Sequence, residues 1–175
     1  MNDYEYEETL KAIQLATQME IDGKEFYKRA AQNSGNELGR KLYISLAEEE
    51  DYHRKRFDEI YNSIRVKKAW PKTDVHTDGG SKLRTVFASA MDKPAAEAVQ
   101  SEIDAVQTAI NMEAKTLDLY RNKASSAKHS AEKQFYEALA GQEREHQLIL
   151  VDYYEYLKDP ASWYTAKEHH SMDGG

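Results

Sequence analysis

The feature that most constrains this chain is a repeated set of ionisable side chains, in which a lone glutamate is followed by a Glu-x-x-His motif. The first set is Glu20, Glu50 and His53, and the second set is Glu113, Glu143 and His146. Each member of the second set lies 93 residues after its counterpart, and in both sets 30 residues separate the lone glutamate from the motif. A single short motif arises easily by chance, but two at one offset indicate an internal duplication that carries candidate metal ligands.

The apolar residues around both sets recur with a helical period. Steps of three and four residues run through Leu46, Glu50, His53, Phe57 and, in the second half, Leu139, Glu143, His146, Leu150. Turn-like segments at 33–36 and 125–130 divide each half into two helices. The pattern therefore predicts an all-α four-helix bundle over residues 1–158, built from helical hairpins at about 4–64 and 96–158.

The segment between the two hairpins, residues 65–95, breaks the helical pattern at Trp70-Pro71, Asp78-Gly79-Gly80 and Pro94. Extended chain covers about 3.3 Å per residue, so this segment can run the length of a bundle. We expect one long crossover between helices 2 and 3, with a small apolar helix at 83–91. Residues 159–175 are expected to form a C-terminal tail.

Composition excludes several classes of function. The sequence contains no cysteine, which excludes disulfides, thiolate zinc sites and iron–sulfur clusters within it. The net charge of −7 argues against nucleic acid or an anionic membrane as the main partner. A mean hydropathy of −0.85, with no signal peptide and no apolar run of about 20 residues, predicts a cytoplasmic protein.

The two ligand sets are expected to meet at one level of the bundle. In a hairpin that turns near Gly35, Glu20 and Glu50 are the same number of residues from the turn. Since a helix rises about 1.5 Å per residue, the two glutamates lie at the same height on opposing helices. His53 follows Glu50 by nearly one turn and projects from the same face. Four buried carboxylates need compensating charge, which two divalent ions supply. Carboxylates with one imidazole per ion suit iron, manganese or, less selectively, zinc.

In these segments the chain resembles the rubrerythrin branch of the ferritin-like superfamily. The resembling segments are residues 19–27, 46–53, 112–120 and 139–146. The resemblance implies a ferritin-like bundle with two iron ions that reacts with hydrogen peroxide or O₂ and cycles between di-ferrous and di-ferric states. It also implies bridging ligands at Glu50 and Glu143, terminal carboxylates at Glu20 and Glu113, and one imidazole per iron from His53 and His146.

Two departures from the family pattern bear on activity. Rubrerythrins carry a cysteine-ligated rubredoxin domain that delivers electrons, and this sequence has no cysteine. We therefore expect an external electron donor such as a rubredoxin-like protein. Rubrerythrins also carry an extra glutamate one turn after the helix-3 ligand, used during peroxide reduction, and here that position is Thr116. This difference weakens the expectation of rubrerythrin-type peroxide reduction but not that of iron binding.

Some other polar residues have weaker patterns. Tyr27 and Tyr120 lie two helical turns after Glu20 and Glu113, where each either hydrogen-bonds to the ligands or packs in the core. No catalytic acid or base beyond the metal ligands is evident. Residues expected to lie outside the centre, in loops, in the tail or exposed to solvent, are His76, His129, His169, His170, Glu97 and Glu102.

Three functions compete on this basis. The leading hypothesis is a di-iron oxidoreductase that reduces hydrogen peroxide or O₂ with electrons from an external donor. The first alternative is a protein for iron binding, iron storage or ferroxidation, and the second is a metal-binding bundle without turnover. Quaternary structure discriminates among them, because the expected homodimer leaves no cavity for mineral whereas a large hollow assembly does.

Overall fold

Four long helices account for most of the described part of the chain. In this computed structural model, which describes residues 1–72, 83–85 and 100–163, the helices are α1 (Asp3–Asn33), α2 (Glu37–Lys67), α3 (Gln100–Ser126) and α4 (Ser130–Lys158). Those residues contain no strand, and none of their helices is long and apolar enough to cross a membrane. The prediction of an all-α, ferritin-like bundle with a long crossover between helices 2 and 3 is confirmed.

Local hydrogen bonds fix where the first hairpin begins and turns. At the start of α1, the backbone N–H of Glu5 donates to Asn2 Oδ1 at 2.8 Å and the N–H of Asn2 donates to Glu5 Oε2 at 3.2 Å. At the turn, Asn36 Oδ1 accepts from the backbone N–H of Leu38 at 2.9 Å and so caps α2. Only residues 34–36 separate the helices, so α1 and α2 pack as an antiparallel pair, as do α3 and α4.

The core of the bundle is divided into two apolar clusters by a polar layer. The cluster beside the α1–α2 turn includes Leu42, Leu46, Val106 and Leu150, and the cluster beside the α3–α4 turn includes Ile13, Phe57, Ile60 and Leu139. All of these side chains are fully buried. Each helix passes from one cluster to the other, and the six candidate ligands lie on the stretches in between. The apolar clusters thus hold the helices together on both sides of the ligands.

Parts of the crossover and the tail are also described. Leu83 is helical and fully buried in the cluster beside the α1–α2 turn, while the rest of the small helix predicted at 83–91 lies mostly outside the described residues. After α4, Asp159 Oδ1 accepts from the backbone N–H of Ser162 at 3.0 Å, and Trp163 packs on Tyr156 with ring centroids 5.7 Å apart. The tail therefore begins as a helical turn packed on the bundle. His76, Glu97, His169 and His170 lie outside the described residues.

The expectation that Glu102 is exposed is wrong. Its side chain is buried near the start of α3, where Ser34 Oγ donates to its Oε1 at 2.6 Å and Tyr153 OH donates to the same atom at 2.9 Å. Both donors belong to other helices or turns, so these hydrogen bonds offset the cost of burying the carboxylate. Helical periodicity within α3 alone does not reveal such partners.

Two glycines inside helices give opposite predictions for stability. A Cβ at Gly39 would overlap the Tyr153 hydroxyl and lie 2.6 Å from Glu102 Oε1, whereas a Cβ at Gly141 meets nothing within 4 Å. We expect Gly39→Ala to destabilise the protein by about 1–3 kcal/mol through overpacking. Gly141→Ala should stabilise it by about 0.5–1 kcal/mol, because alanine loses less backbone entropy in a helix. Urea unfolding of both variants checks this, and equal effects would contradict the packing described at Gly39.

Candidate metal centre

The six repeated side chains meet in the polar layer between the two apolar clusters. Glu20 comes from α1, Glu50 and His53 from α2, Glu113 from α3, and Glu143 and His146 from α4, and all six are buried. The rings of His53 and His146 lie nearly parallel, with centroids 5.8 Å apart and an angle of 18° between the ring planes. The duplicated hairpins therefore contribute three side chains each to one site.

The side chains form two groups that share a member. One group contains Glu50, Glu113, Glu143 and His146, the other contains Glu20, Glu50 and His53, and in each group one ligand atom per residue lies within 4.8 Å of the rest. Glu50 belongs to both groups. Each group contains its own histidine, so the two groups could hold two neighbouring ions.

Glu143 lies between the two imidazoles. Its Oε1 is 3.1 Å from His53 Nδ1, and its Oε2 is 3.4 Å from His146 Nδ1. The other carboxylates each favour one side, since Glu20 Oε2 is 3.3 Å from His53 Nδ1 and Glu113 Oε2 is 3.7 Å from His146 Nδ1. The geometry thus distinguishes one central glutamate from two lateral ones, and it places Glu50 Oε1 3.8 Å from His146 Nδ1.

Several buried polar atoms at this site make no hydrogen bond within the described part of the chain. They are Glu20 Oε2, both carboxylate oxygens of Glu143, His53 Nδ1, His146 Nδ1 and His146 Nε2. Buried polar groups are normally hydrogen-bonded, because leaving them unpaired is costly. Most of these atoms point into the same small volume, and oxygen donors with one imidazole per ion suit iron or manganese. The residues present therefore fit a pair of divalent cations.

Two tyrosines hydrogen-bond to the lateral glutamates across the hairpins. Tyr27 OH on α1 donates to Glu113 Oε1 on α3, and Tyr120 OH on α3 donates to Glu20 Oε1 on α1. In each case the tyrosine engages Oε1, while Oε2 of the same carboxylate faces a histidine. The structure thus brings both tyrosines named from the sequence into hydrogen bonds with candidate ligands, and each bond joins one hairpin to the other.

Gln142 contacts a candidate ligand and was not among the residues expected at the site from the sequence. Its Oε1 accepts a hydrogen bond from His53 Nε2. A hydrogen held on Nε2 leaves Nδ1 of the neutral ring free to bind a cation. The residue at the equivalent position of the first repeat is Glu49, and His146 Nε2 makes no hydrogen bond in the described residues. Nothing in the sequence clearly indicates this contact, because every residue between Ala47 and His53 except Glu50 differs from its counterpart in the second repeat.

Burial and charge shift the pKa values of the ligands strongly. Burial, and then the charge of Glu143, raise the pKa of Glu113 to about 8, and burial with Glu20 and Glu143 raises that of Glu50. Burial alone would lower the pKa of His146, but Glu113 and Glu143 outweigh it and raise that pKa to about 10. In protein stripped of metal, protons therefore take the place of cations among these groups.

The positions one helical turn after the lateral glutamates supply no further carboxylate. Thr116 follows Glu113, and its Oγ1 donates to the backbone oxygen of Met112 at 3.3 Å. Its repeat counterpart is Gly23, where a Cβ would lie only 3.1 Å from Glu50 Oε2. The glycine leaves room for the Glu50 carboxylate, and the threonine is bonded within its own helix.

These features define a class of protein: a ferritin-like helical bundle whose buried carboxylates and histidines can hold metal. A sequence model of the rubrerythrin family matches residues 11–150, a range that includes all six candidate ligands. The chain belongs to the rubrerythrin family, a ferritin-like di-iron carboxylate family.

The comparison with solved structures supports the fold and nothing beyond it. A solved structure of a hypothetical protein from Pyrococcus furiosus resembles this chain with a TM-score of 0.65 and 24% sequence identity, covering 86% of this chain and 90% of that one. No curated protein matches this sequence. The roles of the six side chains as ligands, and of the two tyrosines beside them, stay predictions.

The shifted pKa values predict how the metal-stripped protein responds to pH. Glu113 has a folded pKa of about 8 against an ordinary value of 4.5, so the folded protein binds this proton more tightly than the unfolded chain does. The stability that this proton contributes is lost as pH rises from 4.5 through 8. His146, raised from 6.5 to about 10, contributes stability that is also lost as pH rises. With chelator present, the melting temperature should fall between about pH 4.5 and about pH 10, most steeply between about pH 6.5 and about pH 8 where both groups contribute, and divalent metal should flatten that fall. A melting temperature that rises over this range would contradict the described electrostatics.

The contact of Gln142 predicts a selective loss of metal affinity. Replacing it as Gln142→Leu leaves His53 Nε2 without its acceptor, so we expect binding on the His53 side to weaken by about 10–100-fold. The matched control is Glu49→Leu, at the equivalent position of the first repeat, which should leave both affinities unchanged. Competition titrations of Mn²⁺ against a chelator measure this, and equal effects of the two variants would contradict the role given to Gln142.

Proposed function

We propose that this chain is a non-haem di-iron oxidoreductase that reduces hydrogen peroxide or O₂ with electrons from an external donor. The observation that supports it most is the position of Glu143, whose two carboxylate oxygens face two different imidazoles at 3.1 and 3.4 Å. A carboxylate in that position can bridge two ions. Membership of the rubrerythrin family supports iron as the metal.

In this proposal the ligands divide between two irons. Glu20 and His53 would hold one ion, Glu113 and His146 would hold the other, and the two remaining glutamates, Glu50 and Glu143, would be shared. When bound, the iron pair supplies one electron per ion, which together are the two electrons that reduce peroxide to water.

The residues around the ligands set their geometry and exclude solvent. Tyr27 and Tyr120 hold Glu113 and Glu20 by hydrogen bonds and so fix which oxygen of each carboxylate faces the centre. Gln142 holds the ring of His53. The apolar clusters on both sides keep bulk water from the site, which strengthens each electrostatic interaction within it.

The proposal places the source of electrons outside this sequence. With no cysteine in the 175 residues, the sequence has no rubredoxin-type iron site of its own. A rubredoxin-like protein fits the role of donor, and a homodimer fits a bundle of this size. Thr116 supplies no carboxylate, so the proposed reaction uses the six ligands alone.

Anaerobic reconstitution with Fe²⁺ followed by stopped-flow absorbance tests the proposal. We expect about two irons per chain and a ferric absorbance that appears on mixing with hydrogen peroxide or O₂. Glu143→Gln should lose the second iron and most of the absorbance change. The matched control is Glu102→Gln, which alters a buried glutamate outside the centre and should retain both.

The same experiment separates the competing functions. Faster reaction with peroxide supports peroxide reduction, and faster reaction with O₂ supports a ferroxidase or oxidase. Stoichiometric iron without either reaction would leave a metal-binding bundle, and a hollow assembly in light scattering would favour iron storage. Absence of stoichiometric iron, with Glu143→Gln indistinguishable from the parent chain, would contradict the proposal.

A further inference from the structure

The repeat that carries the ligands also carries aromatic residues. At the same offset of 93 residues, Tyr27 pairs with Tyr120, Tyr43 with Tyr136 and Trp70 with Trp163. Each half therefore has two tyrosines and a tryptophan in equivalent places, and the first tyrosine of each set is hydrogen-bonded to a candidate ligand. Tyrosine and tryptophan are the side chains that most readily give up a single electron, whereas the phenylalanines packed beside them do not.

One of these sets forms a short path from the centre to the surface. Tyr120 OH donates to Glu20 Oε1, the ring centroids of Tyr120 and Tyr136 are 5.9 Å apart, and those of Tyr136 and Trp70 are also 5.9 Å apart. Tyr120 and Tyr136 are fully buried, while Trp70 is partly exposed. Three rings in contact thus connect a carboxylate of the centre with solvent.

The equivalent path in the other half is longer and ends on a buried ring. From Tyr27 it passes to Tyr43 at 6.1 Å and to Tyr153 at 6.2 Å, and it needs Tyr156 before it reaches Trp163, which is buried. The Tyr43 hydroxyl is buried and makes no hydrogen bond within the described part of the chain. This half therefore offers a path of five rings that ends on a buried tryptophan, against three rings that end on a partly exposed one.

We infer that Trp70, Tyr136 and Tyr120 form a path that exports single oxidising equivalents from the metal centre to the protein surface. The inference rests on the proposed function, because that reaction supplies the oxidising equivalents. Such a path protects the metal centre. An oxidising equivalent that the external donor has not reduced moves to Trp70 at the surface, so it does not oxidise the ligands.

The electrons and protons of this step balance. Reduction of one hydrogen peroxide to two waters takes two electrons and two protons, and solvent supplies the protons. When the external donor has delivered only one of the electrons, Tyr120 gives the other, and its phenol proton moves to Glu20 Oε1. Trp70 then gives an electron through Tyr136 to Tyr120, which takes its proton back from Glu20, so the unpaired electron is left on Trp70. A thiol in solution gives one electron to Trp70 and releases its proton to water, and two thiyl radicals couple to a disulfide.

The absence of cysteine allows a test that needs neither metal nor peroxide. A single exposed cysteine, introduced as Ala69→Cys, accepts a ruthenium polypyridyl label beside Trp70. In the metal-stripped protein, a laser flash with an electron-accepting quencher then oxidises Trp70. We expect the tryptophan radical to decay as a tyrosyl radical grows, because Trp70, Tyr136 and Tyr120 are in ring contact and the Tyr120 hydroxyl is hydrogen-bonded. Transient absorbance and trapped-radical magnetic resonance follow both species.

Variants of the labelled chain give the control. Tyr136→Phe and Tyr120→Phe should each lose most of the tyrosyl radical, whereas Tyr43→Phe, the repeat counterpart of Tyr136→Phe, should leave it unchanged. Circular dichroism melts show that each variant is folded. Decay of the tryptophan radical without a tyrosyl radical, or equal effects of Tyr136→Phe and Tyr43→Phe, would overturn the inference. Peroxide consumption by the iron-loaded protein is a separate readout, so failure of the path and failure of the proposed function are distinguishable.

Discussion

Mutual repulsion among four buried carboxylates is the constraint on which the rest of the structure depends. Glu20, Glu50, Glu113 and Glu143 lie within one polar layer, and the two histidines beside them cannot balance four negative charges. Without cations, burial and the neighbouring carboxylates raise the pKa values of Glu50 and Glu113, while burial of Glu143 is outweighed by the two histidines, which lower its pKa. The packing of the two apolar clusters on either side of the layer offsets the cost of burying these charges. A pair of divalent ions would reduce the repulsion among the carboxylates.

Duplication explains the symmetry of the centre, and departures from it give the two halves different chemistry. Each hairpin brings one lateral glutamate, one Glu-x-x-His motif and one tyrosine that reaches across to the other hairpin. The halves differ in the hydrogen bond of the histidine Nε2. Nε2 of His53 donates to Gln142, whereas Nε2 of His146 makes no hydrogen bond in the described residues. They differ again in their aromatic paths, of which only the one through Trp70 is short. Two irons bound here would therefore not be equivalent.

Much of this arrangement follows from the sequence because it is periodic. The helical period around Glu50 and His53 and the single offset of 93 residues predict both the bundle and the meeting of the six side chains. Contacts between helices without such repetition do not follow. Glu102 lies four residues before Val106 on the buried face of α3, but the sequence does not show that Ser34 and Tyr153 hydrogen-bond to its carboxylate and so allow its burial. Gln142 likewise acts through a partner 89 residues away. The offset between Trp70 and Trp163 was visible in the sequence, but its meaning depends on ring distances.

Anomalous diffraction from crystals of the protein reconstituted anaerobically with Fe²⁺ tests the central claim most directly. The account predicts two iron peaks about 3.5–4 Å apart in the polar layer, one beside Glu20 and His53 and the other beside Glu113 and His146. Glu50 and Glu143 should lie between them. A single peak, or iron bound only at surface carboxylates with the polar layer free of metal, would contradict it.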